Sequence, residues 1–196
     1  DACELMAKKA LGQNFLLDIN ITRKIVTSSL KKQGLSSFEG CHVFEVGPGP
    51  GGLTRSILQE NPKSLTVVEM DSRCIKIMEE LRPETDSPMN IINGDALEFD
   101  INENTSAPRQ IISNLPYNVS VPLLIKWLQE IKDISAMTLM FQKEVAERIM
   151  APTRCKDYGR VSVIAQLTCQ IDKLMDLNPE CFTPAPKIWS SVLLFR

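Results

Sequence analysis

An amide, a proline and an aromatic ring follow an apolar stretch in the sequence Ile111-Ile112-Ser113-Asn114-Leu115-Pro116-Tyr117-Asn118. The apolar stretch predicts a buried strand, and the apolar spacing over residues 121–128 predicts a helix after it. Pro116 has its φ fixed at about −65° and favours extended geometry at the residue before it. Asn114 and Tyr117 are therefore held at a defined separation, where an amide oxygen, a freed carbonyl and a flat ring suit an exocyclic amine on a flat heterocycle. The alternative is an ordinary strand-to-helix turn, because Asn-x-Pro is also common turn chemistry.

A glycine-rich turn is the second feature that could do chemistry. The pattern G-x-G-x-x-G is satisfied by Gly47, Gly49 and Gly52. Glu69 follows about twenty residues later, so the spacing would fit a dinucleotide site. Pro48 and Pro50, however, have no backbone N–H, and the turn therefore offers fewer donors than a pyrophosphate needs.

A cofactor without a phosphate would tolerate this loss of donors, and S-adenosylmethionine is such a cofactor. Glycines let the backbone approach it closely, and Glu69 can accept from both ribose hydroxyls. Asp95, at the end of the next predicted strand, can accept from the adenine amino group of the cofactor. Either carboxylate alone could be a strand-end cap, but both at successive strand ends beside the glycine turn favour a cofactor site.

The elements that must position these residues alternate between strands and helices. We predict strands at 43–46, 65–69, 89–92, 111–113 and 137–141, and helices over 18–30, 53–58, 75–81, 121–128, 145–150 and 161–167. A last pair of strands, 172–177 and 188–195, encloses a turn at 182–187 and has no helix between its members. This order predicts an α/β fold with a mostly parallel sheet, helices on both faces and antiparallel final strands. Carboxyl ends of such strands form the ligand-binding edge.

Composition narrows the classes of function. A chain of 196 residues fits one domain, and a net charge of −2 gives no overall basic footprint, although a local basic patch is compatible with it. Six scattered cysteines without a C-x-x-C pair predict neither a disulfide framework nor a metal site, and they favour a reducing compartment. His42 is the only histidine and opens a predicted strand, which indicates a structural role and argues against Ser-His-Asp and Cys-His catalysis. No apolar run approaches the roughly 18 residues of a membrane span, so we expect a cytoplasmic protein without membrane or metal partners.

With the glycine turn, Glu69, Asp95 and Asn114-Leu115-Pro116-Tyr117 in this order, the chain resembles the ribosomal RNA adenine N6-dimethyltransferases. That family includes the bacterial small-subunit enzymes linked to kasugamycin sensitivity and their erythromycin-resistance relatives. The similarity extends over nearly the whole chain, from Gln13-Asn14-Phe15-Leu16 through Tyr158-Gly159-Arg160 to residues 182–187. Gly47-Pro48-Gly49-x-Gly51 and Asn114-Leu115-Pro116-Tyr117-Asn118 look more like the small-subunit branch.

The resemblance implies a fold and a set of site residues. The fold is the Rossmann-like class I S-adenosylmethionine-dependent methyltransferase sheet of seven strands, with residues 1–196 as a single catalytic domain and residues 1–17 as an arm or lid. The predicted cofactor-binding residues are Asn14, Leu16, Gly47, Gly49, Glu69, Met70, Asp95, Ala96 and Asn114. The predicted catalytic residues are Asn114, Leu115, Pro116, Tyr117 and Phe182. Tyr117 and Phe182 would stack on opposite faces of the target base, whereas a plain core position is the alternative for Phe182.

The implied activity is dimethylation of the N6 amine of two adjacent adenosines in small-subunit ribosomal RNA, during ribosome biogenesis, by a monomer. Its partner would be that RNA or the immature small subunit. We expect a basic rim that contacts RNA phosphates, formed by Lys8, Lys9, Arg148, Arg154, Lys156 and Arg160. The alternative is that these residues form a solvated charged face. Other hypotheses are an RNA-binding assembly factor, a large-subunit RNA methyltransferase of the erythromycin-resistance type, and a DNA or protein methyltransferase. The family normally carries a helical domain after the last strand; we expect cofactor binding here without it.

Overall fold

A computed structural model describes residues 13–101, 108–132 and 134–196. The strands are β1 (Phe15–Leu16), β2 (His42–Val46), β3 (Ser64–Glu69), β4 (Met89–Asn93), β5 (Arg109–Ser113), β6 (Ile134–Gln142), β7 (Ile171–Leu177), β8 (Phe182–Thr183) and β9 (Ser190–Phe195). The helices are α1 (Ile19–Gln33), α2 (Gly52–Leu58), α3 (Ser72–Leu81), α4 (Tyr117–Gln129), α5 (Lys143–Ile149) and α6 (Arg160–Thr168). Within these residues, no helix has the length and apolar character that crossing a membrane requires.

The main sheet has seven strands in the order β4-β3-β2-β5-β6-β9-β7. The five strands from β4 to β6 run parallel, whereas β9 is antiparallel to both of its neighbours. This topology confirms the predicted α/β fold with antiparallel final strands. β9 begins at Ser190 rather than Ile188 and lies inside the sheet, so of the closing pair only β7 forms an edge.

Helices cover both faces of the sheet, as the sequence predicted. Successive strand residues point to opposite faces, so Ile111 and Ile112 enter different core clusters. One cluster lies under α1, α2 and α3 and includes Ile25, Leu53 and Met78. The other lies under α4, α5 and α6 and includes Leu124, Trp127, Ala146 and Ala165. Both faces of the parallel strands are therefore buried, which explains their continuous apolar sequences.

The described part of the predicted N-terminal arm, which begins at residue 13, contains a short strand. Phe15 and Leu16 form β1, which pairs antiparallel with Phe182 and Thr183 of β8, and both residues of β1 are buried. Asp18 then caps α1 by accepting from the backbone N–H of Asn20 at 2.8 Å, as a cap candidate should. Residues 13–17 are therefore packed onto the domain, and residues 1–12 of the predicted lid lie outside the described residues.

Close packing of this segment on α2 depends on Gly52. A Cβ atom at Gly52, the first residue of α2, would collide with the backbone carbonyl oxygen of Leu16. A backbone oxygen cannot rotate away as a side chain can. The absence of a side chain at Gly52 therefore lets β1 lie across the start of α2.

We expect Gly52→Ala to lower the free energy of unfolding by about 1–3 kcal/mol, the usual cost of overpacking. This cost exceeds the gain of up to about 1 kcal/mol that Ala brings to a helix. Urea unfolding measures the change. Gly159→Ala is the matched control, because a Cβ there would have no neighbour closer than 4.0 Å and its φ is −129°. Equal stability of Gly52→Ala and the unaltered protein would contradict the packing role of Gly52.

Candidate active site

A cavity of about 270 Å³ lies at the carboxyl ends of β2, β3, β4 and β5. Its wall is formed by residues 13–16, 45–48, 50, 53, 68–70, 94–96, 114–119 and 123. These include the following predicted site residues: Asn14, Leu16, Gly47, Glu69, Met70, Asp95, Ala96, Asn114, Leu115, Pro116 and Tyr117. The folded chain thus brings all of the predicted cofactor residues except Gly49, and all of the predicted catalytic residues except Phe182, to one cavity.

The glycine turn after β2 contributes in two different ways. Gly47 has a φ of +66°, donates to the Val68 carbonyl at 2.9 Å and lines the cavity. Gly49 does not line it. A Cβ at Gly49 would lie 2.7 Å from the ring of Phe15, so this glycine provides space for the N-terminal segment. Its backbone N–H donates to Glu69 Oε2 at 3.3 Å.

Glu69 ends β3 and is held by backbone donors. Its Oε1 accepts from the N–H groups of Met70 at 2.8 Å and Asp71 at 2.9 Å. Burial raises the pKa of Glu69, these hydrogen bonds and the one from Gly49 lower it, and the charge of Asp71 raises it further. Since three amides fix its orientation, the carboxylate presents its remaining acceptor positions to the cavity with little freedom to move.

Asp71 extends this network to the N-terminal segment. The Arg73 guanidinium, 2.6 Å from Asp71 Oδ2, holds the pKa of Asp71 far below its usual range. Asp71 also caps α3 through the N–H of Arg73 and accepts from the Gln13 side chain at 3.3 Å. The wall of the cavity on this side is therefore ordered by charge-assisted hydrogen bonds.

Asp95 and its neighbours form the next part of the wall. Asp95 Oδ1 accepts from the N–H of Leu97 at 2.9 Å, so the residue does cap the turn after β4. Among the described residues no donor reaches Oδ2, which leaves it available to a ligand. Met70 is 58% exposed at the rim, whereas Ala96 is buried. Capping and ligand binding are compatible because they use different oxygens of Asp95.

The Asn114 amide has a fixed orientation. Its Nδ2 donates to the backbone carbonyl of Asn14 at 2.8 Å. A carbonyl only accepts, so the atom of Asn114 that faces it must be the nitrogen. Asn114 Oδ1 is left as an acceptor, and no donor in the described part of the chain occupies it. The Asn114 amide oxygen, which we predicted to accept from an exocyclic amine, is therefore available to a ligand.

Pro116 and Tyr117 complete the turn. Pro116, with φ −56° and ψ 131°, is the N-cap of α4, and no described donor reaches the carbonyl of the preceding Leu115. Tyr117 begins α4, and its hydroxyl lies 2.6 Å from Ser190 Oγ. Burial raises the pKa of Tyr117, while the hydrogen bond to Ser190 opposes the shift. Its hydroxyl thus anchors the ring at one end.

Phe182 and the described members of the predicted basic rim lie outside the cavity wall. Phe182 is 3% exposed in β8, opposite Leu16, which corresponds to the plain core position that we gave as the alternative. Its stacking role stays a prediction. Arg148 pairs with Glu144 at 3.2 Å on α5, and the other described members of the rim are Arg154, Lys156 and Arg160, in or after the loop between α5 and α6. Lys8 and Lys9 lie outside the described residues.

Glu45 is a cavity residue that the sequence reasoning missed. It is 1% exposed in β2, and its Oε2 accepts from Thr54 Oγ1 at 2.7 Å. Burial raises the pKa of Glu45 to about 8, the Thr54 hydrogen bond opposes this, and the charge of Glu69 adds to it. The available signal was a carboxylate inside the apolar strand Val43-Phe44-Glu45-Val46.

We expect Glu45→Gln to flatten the dependence of stability on pH. The folded state keeps the Glu45 proton up to about pH 8, whereas the unfolded chain releases it near the ordinary pKa of 4.5. Since the folded state binds the extra proton between these values, the free energy of unfolding falls as pH rises through that window. Urea unfolding at several pH values should show a smaller fall for Glu45→Gln, with exposed Glu39→Gln as control. An unchanged slope would refute a buried, protonated Glu45.

No group of three metal-ligating side chains occurs within the described residues.

Comparison with known proteins identifies the family to which this chain is similar. The sequence model described as ribosomal RNA adenine dimethylase matches residues 5–195. The ribosomal RNA small subunit methyltransferases A of Wolbachia pipientis wMel and Rhodospirillum rubrum are 48% and 43% identical over 189 residues. Each alignment covers 96% of this chain and 64% of the relative, so the chain spans less than two thirds of their length.

Solved structures agree with this assignment. A crystal structure of a dimethyladenosine transferase from Plasmodium falciparum superposes with a TM-score of 0.80 at 27% identity, over 92% of this chain and 62% of that one. The 23S rRNA methyltransferase ErmE superposes with a TM-score of 0.74 at 25% identity, over 93% and 69%. Both support the methyltransferase fold that the family resemblance implied. The chain belongs to the ribosomal RNA adenine dimethylase family.

Proposed function

We propose that this chain is the catalytic unit of an S-adenosylmethionine-dependent methyltransferase that dimethylates the N6 amine of adjacent adenosines in small-subunit ribosomal RNA. One observation carries the proposal: the Asn114 amide, with its oxygen available, faces the same cavity as Glu69 and Asp95. The small-subunit assignment follows the names of the relatives, which are ribosomal RNA small subunit methyltransferases.

The charges of the cavity fit this cofactor better than a dinucleotide. The described cavity wall has three carboxyl groups, those of Glu45, Glu69 and Asp95, and no Lys, Arg or His side chain. Glu45 keeps its proton near neutral pH, whereas ionised carboxylates at Glu69 and Asp95 repel the pyrophosphate of a dinucleotide and attract the sulfonium and ammonium groups of S-adenosylmethionine. Glu69 is the proposed acceptor for the ribose hydroxyls, and Asp95 Oδ2 for the adenine amine. Gly47 leaves the backbone open to the ligand.

The methyl donor, when bound, supplies a strongly electrophilic methyl group. An adenine amine is a poor nucleophile because its lone pair is delocalised into the ring. The task of the protein is therefore to orient the amine and to localise that lone pair. Asn114 Oδ1 and the Leu115 carbonyl are acceptors for its two N–H groups, and both acceptors favour a more tetrahedral nitrogen. Tyr117 offers a ring face for stacking the base, which must leave the RNA stack to enter the cavity.

The same acceptors also accommodate a second transfer. A monomethylated amine keeps one N–H, so one acceptor continues to orient it while the methyl group takes the position of the other hydrogen. No general base of tuned pKa is required, since the positively charged product amine loses its proton readily to water. The position of His42 agrees with this mechanism, because the only histidine of the chain lies at the opposite end of β2 from the cavity.

We expect Asn114→Ala to lower the rate of methyl transfer by at least about 100-fold, the usual scale for losing one positioned polar group at a reacting centre. The assay is transfer of labelled methyl from S-adenosylmethionine to immature small ribosomal subunits. Asn20→Ala, at an exposed position of α1, is the matched control. Transfer at full rate by Asn114→Ala would exclude the proposed amine contact.

We expect Glu69→Gln to weaken binding of S-adenosylmethionine by roughly tenfold or more, because it removes a charged acceptor. The side-chain NH2 group of the glutamine would also face backbone N–H groups that donate to Glu69. Isothermal titration calorimetry measures the affinity. Glu39→Gln serves as the control for loss of one surface carboxylate. If the folded, unaltered protein binds no S-adenosylmethionine, the cofactor assignment is wrong for this chain.

A further inference from the structure

Trp189 lies at the same edge of the sheet as the cavity. It is 47% exposed and immediately precedes β9, whose first residue, Ser190, pairs with Gln142 at the carboxyl end of β6. The Trp189 carbonyl accepts from the N–H of Lys143 at 2.9 Å. Ser190 Oγ lies 2.6 Å from the Tyr117 hydroxyl. The backbone of Trp189 is therefore fixed one residue away from the group that anchors Tyr117.

One lysine ammonium group lies over this exposed ring. Lys143 Nζ lies 6.0 Å from the centre of the Trp189 ring and 3.6 Å from Asp176 Oδ2. Lys173 Nζ lies 3.2 Å from the same oxygen, so two ammonium groups share one carboxylate and leave one positive charge in excess. Lys187, two residues before the tryptophan, is exposed and has no ion pair among the described residues.

A single exposed apolar side chain normally needs no explanation. Leu167, 82% exposed on α6, is such a residue. Trp189 differs because the Lys143 ammonium group lies over its ring and because Ser190, the next residue, is hydrogen-bonded to the cavity residue Tyr117. An aromatic face bordered by cations is the arrangement with which proteins bind single-stranded nucleic acid, since bases stack on the ring and phosphates meet the cations.

We propose that Trp189 is a stacking platform for the nucleotide next to the target adenosine, with Lys143 and Lys187 facing the adjoining phosphates. The inference rests on the proposed function, because an adenosine held by Asn114 and Tyr117 has a neighbour along the strand that must leave the cavity on some side. With two adjacent adenosines as substrates, one occupies the cavity while the other lies on Trp189.

Tryptophan fluorescence tests this platform directly. The chain has two tryptophans, and Trp127 is buried at 1% exposure, so quenching by a stacked base reports on Trp189. The probe is a small-subunit RNA hairpin with two adjacent unpaired adenosines. We expect saturable quenching in the unaltered protein and none in Trp189→Phe, which should still bind the labelled RNA within about threefold because phenylalanine also stacks.

Trp189→Ala should bind the same RNA about tenfold more weakly, as loss of one stacked base predicts. It should raise KM for the RNA and leave kcat and S-adenosylmethionine affinity unchanged. Leu167→Ala is the control for removing an exposed apolar side chain. RNA affinity unchanged in Trp189→Ala, quenching absent in the unaltered protein, or no RNA binding at all would each overturn the platform. RNA binding that depends on Trp189 without methyl transfer would instead refute the proposed function and leave the platform standing.

Discussion

The buried carboxylate of Glu69 is the constraint on which the cavity depends. It joins the glycine turn after β2 to the turn after β3, because its oxygens accept from Gly49, Met70 and Asp71. Asp71 continues the network to Gln13, and the next residue, Asn14, accepts from Asn114. Three separate strand ends and the N-terminal segment are therefore coupled through a few polar contacts. The orientation of the Asn114 amide is set by this coupling as much as by its own turn.

Such a site is costly for folding. Glu45 and Glu69 are both buried, and desolvation raises the pKa of each. A neighbouring carboxylate adds to the shift, Glu69 in the case of Glu45 and Asp71 in the case of Glu69. Only part of this cost is offset within the protein, by Thr54 and by backbone amides. A cationic ligand would offset more of it, because it supplies the opposite charge where the dielectric constant is low. The arrangement that weakens the fold without ligand is therefore one that would favour the positively charged cofactor proposed above.

The strand ends could be predicted from the sequence, whereas contacts between distant short segments could not. Alternation of strands and helices was enough to place Glu69, Asp95 and Asn114 at one edge. The pairing of β1 with β8 left no signal, because two-residue strands show no periodicity and their partners lie far apart in the chain. The packing of Gly49 on Phe15 gave no sequence signal for the same reason, because it depends on that pairing, and its cofactor contact stays a prediction. Glu45 was overlooked because an apolar strand pattern does not show which buried face opens into a cavity.

Phe182 is buried in β8 opposite Leu16, so stacking on a base would require its ring to become accessible from the cavity. Exposing a buried phenylalanine costs about 1.5–3 kcal/mol, and stacking on an aromatic ring contributes about 1–3 kcal/mol per base. The two magnitudes are similar, so an RNA-free protein keeps Phe182 in the core, and a bound base is close to sufficient to draw it out. Phe182 and Trp189 both lie on the connection between β7 and β9. A base stacked on Trp189 would therefore hold one end of the same connection that carries Phe182.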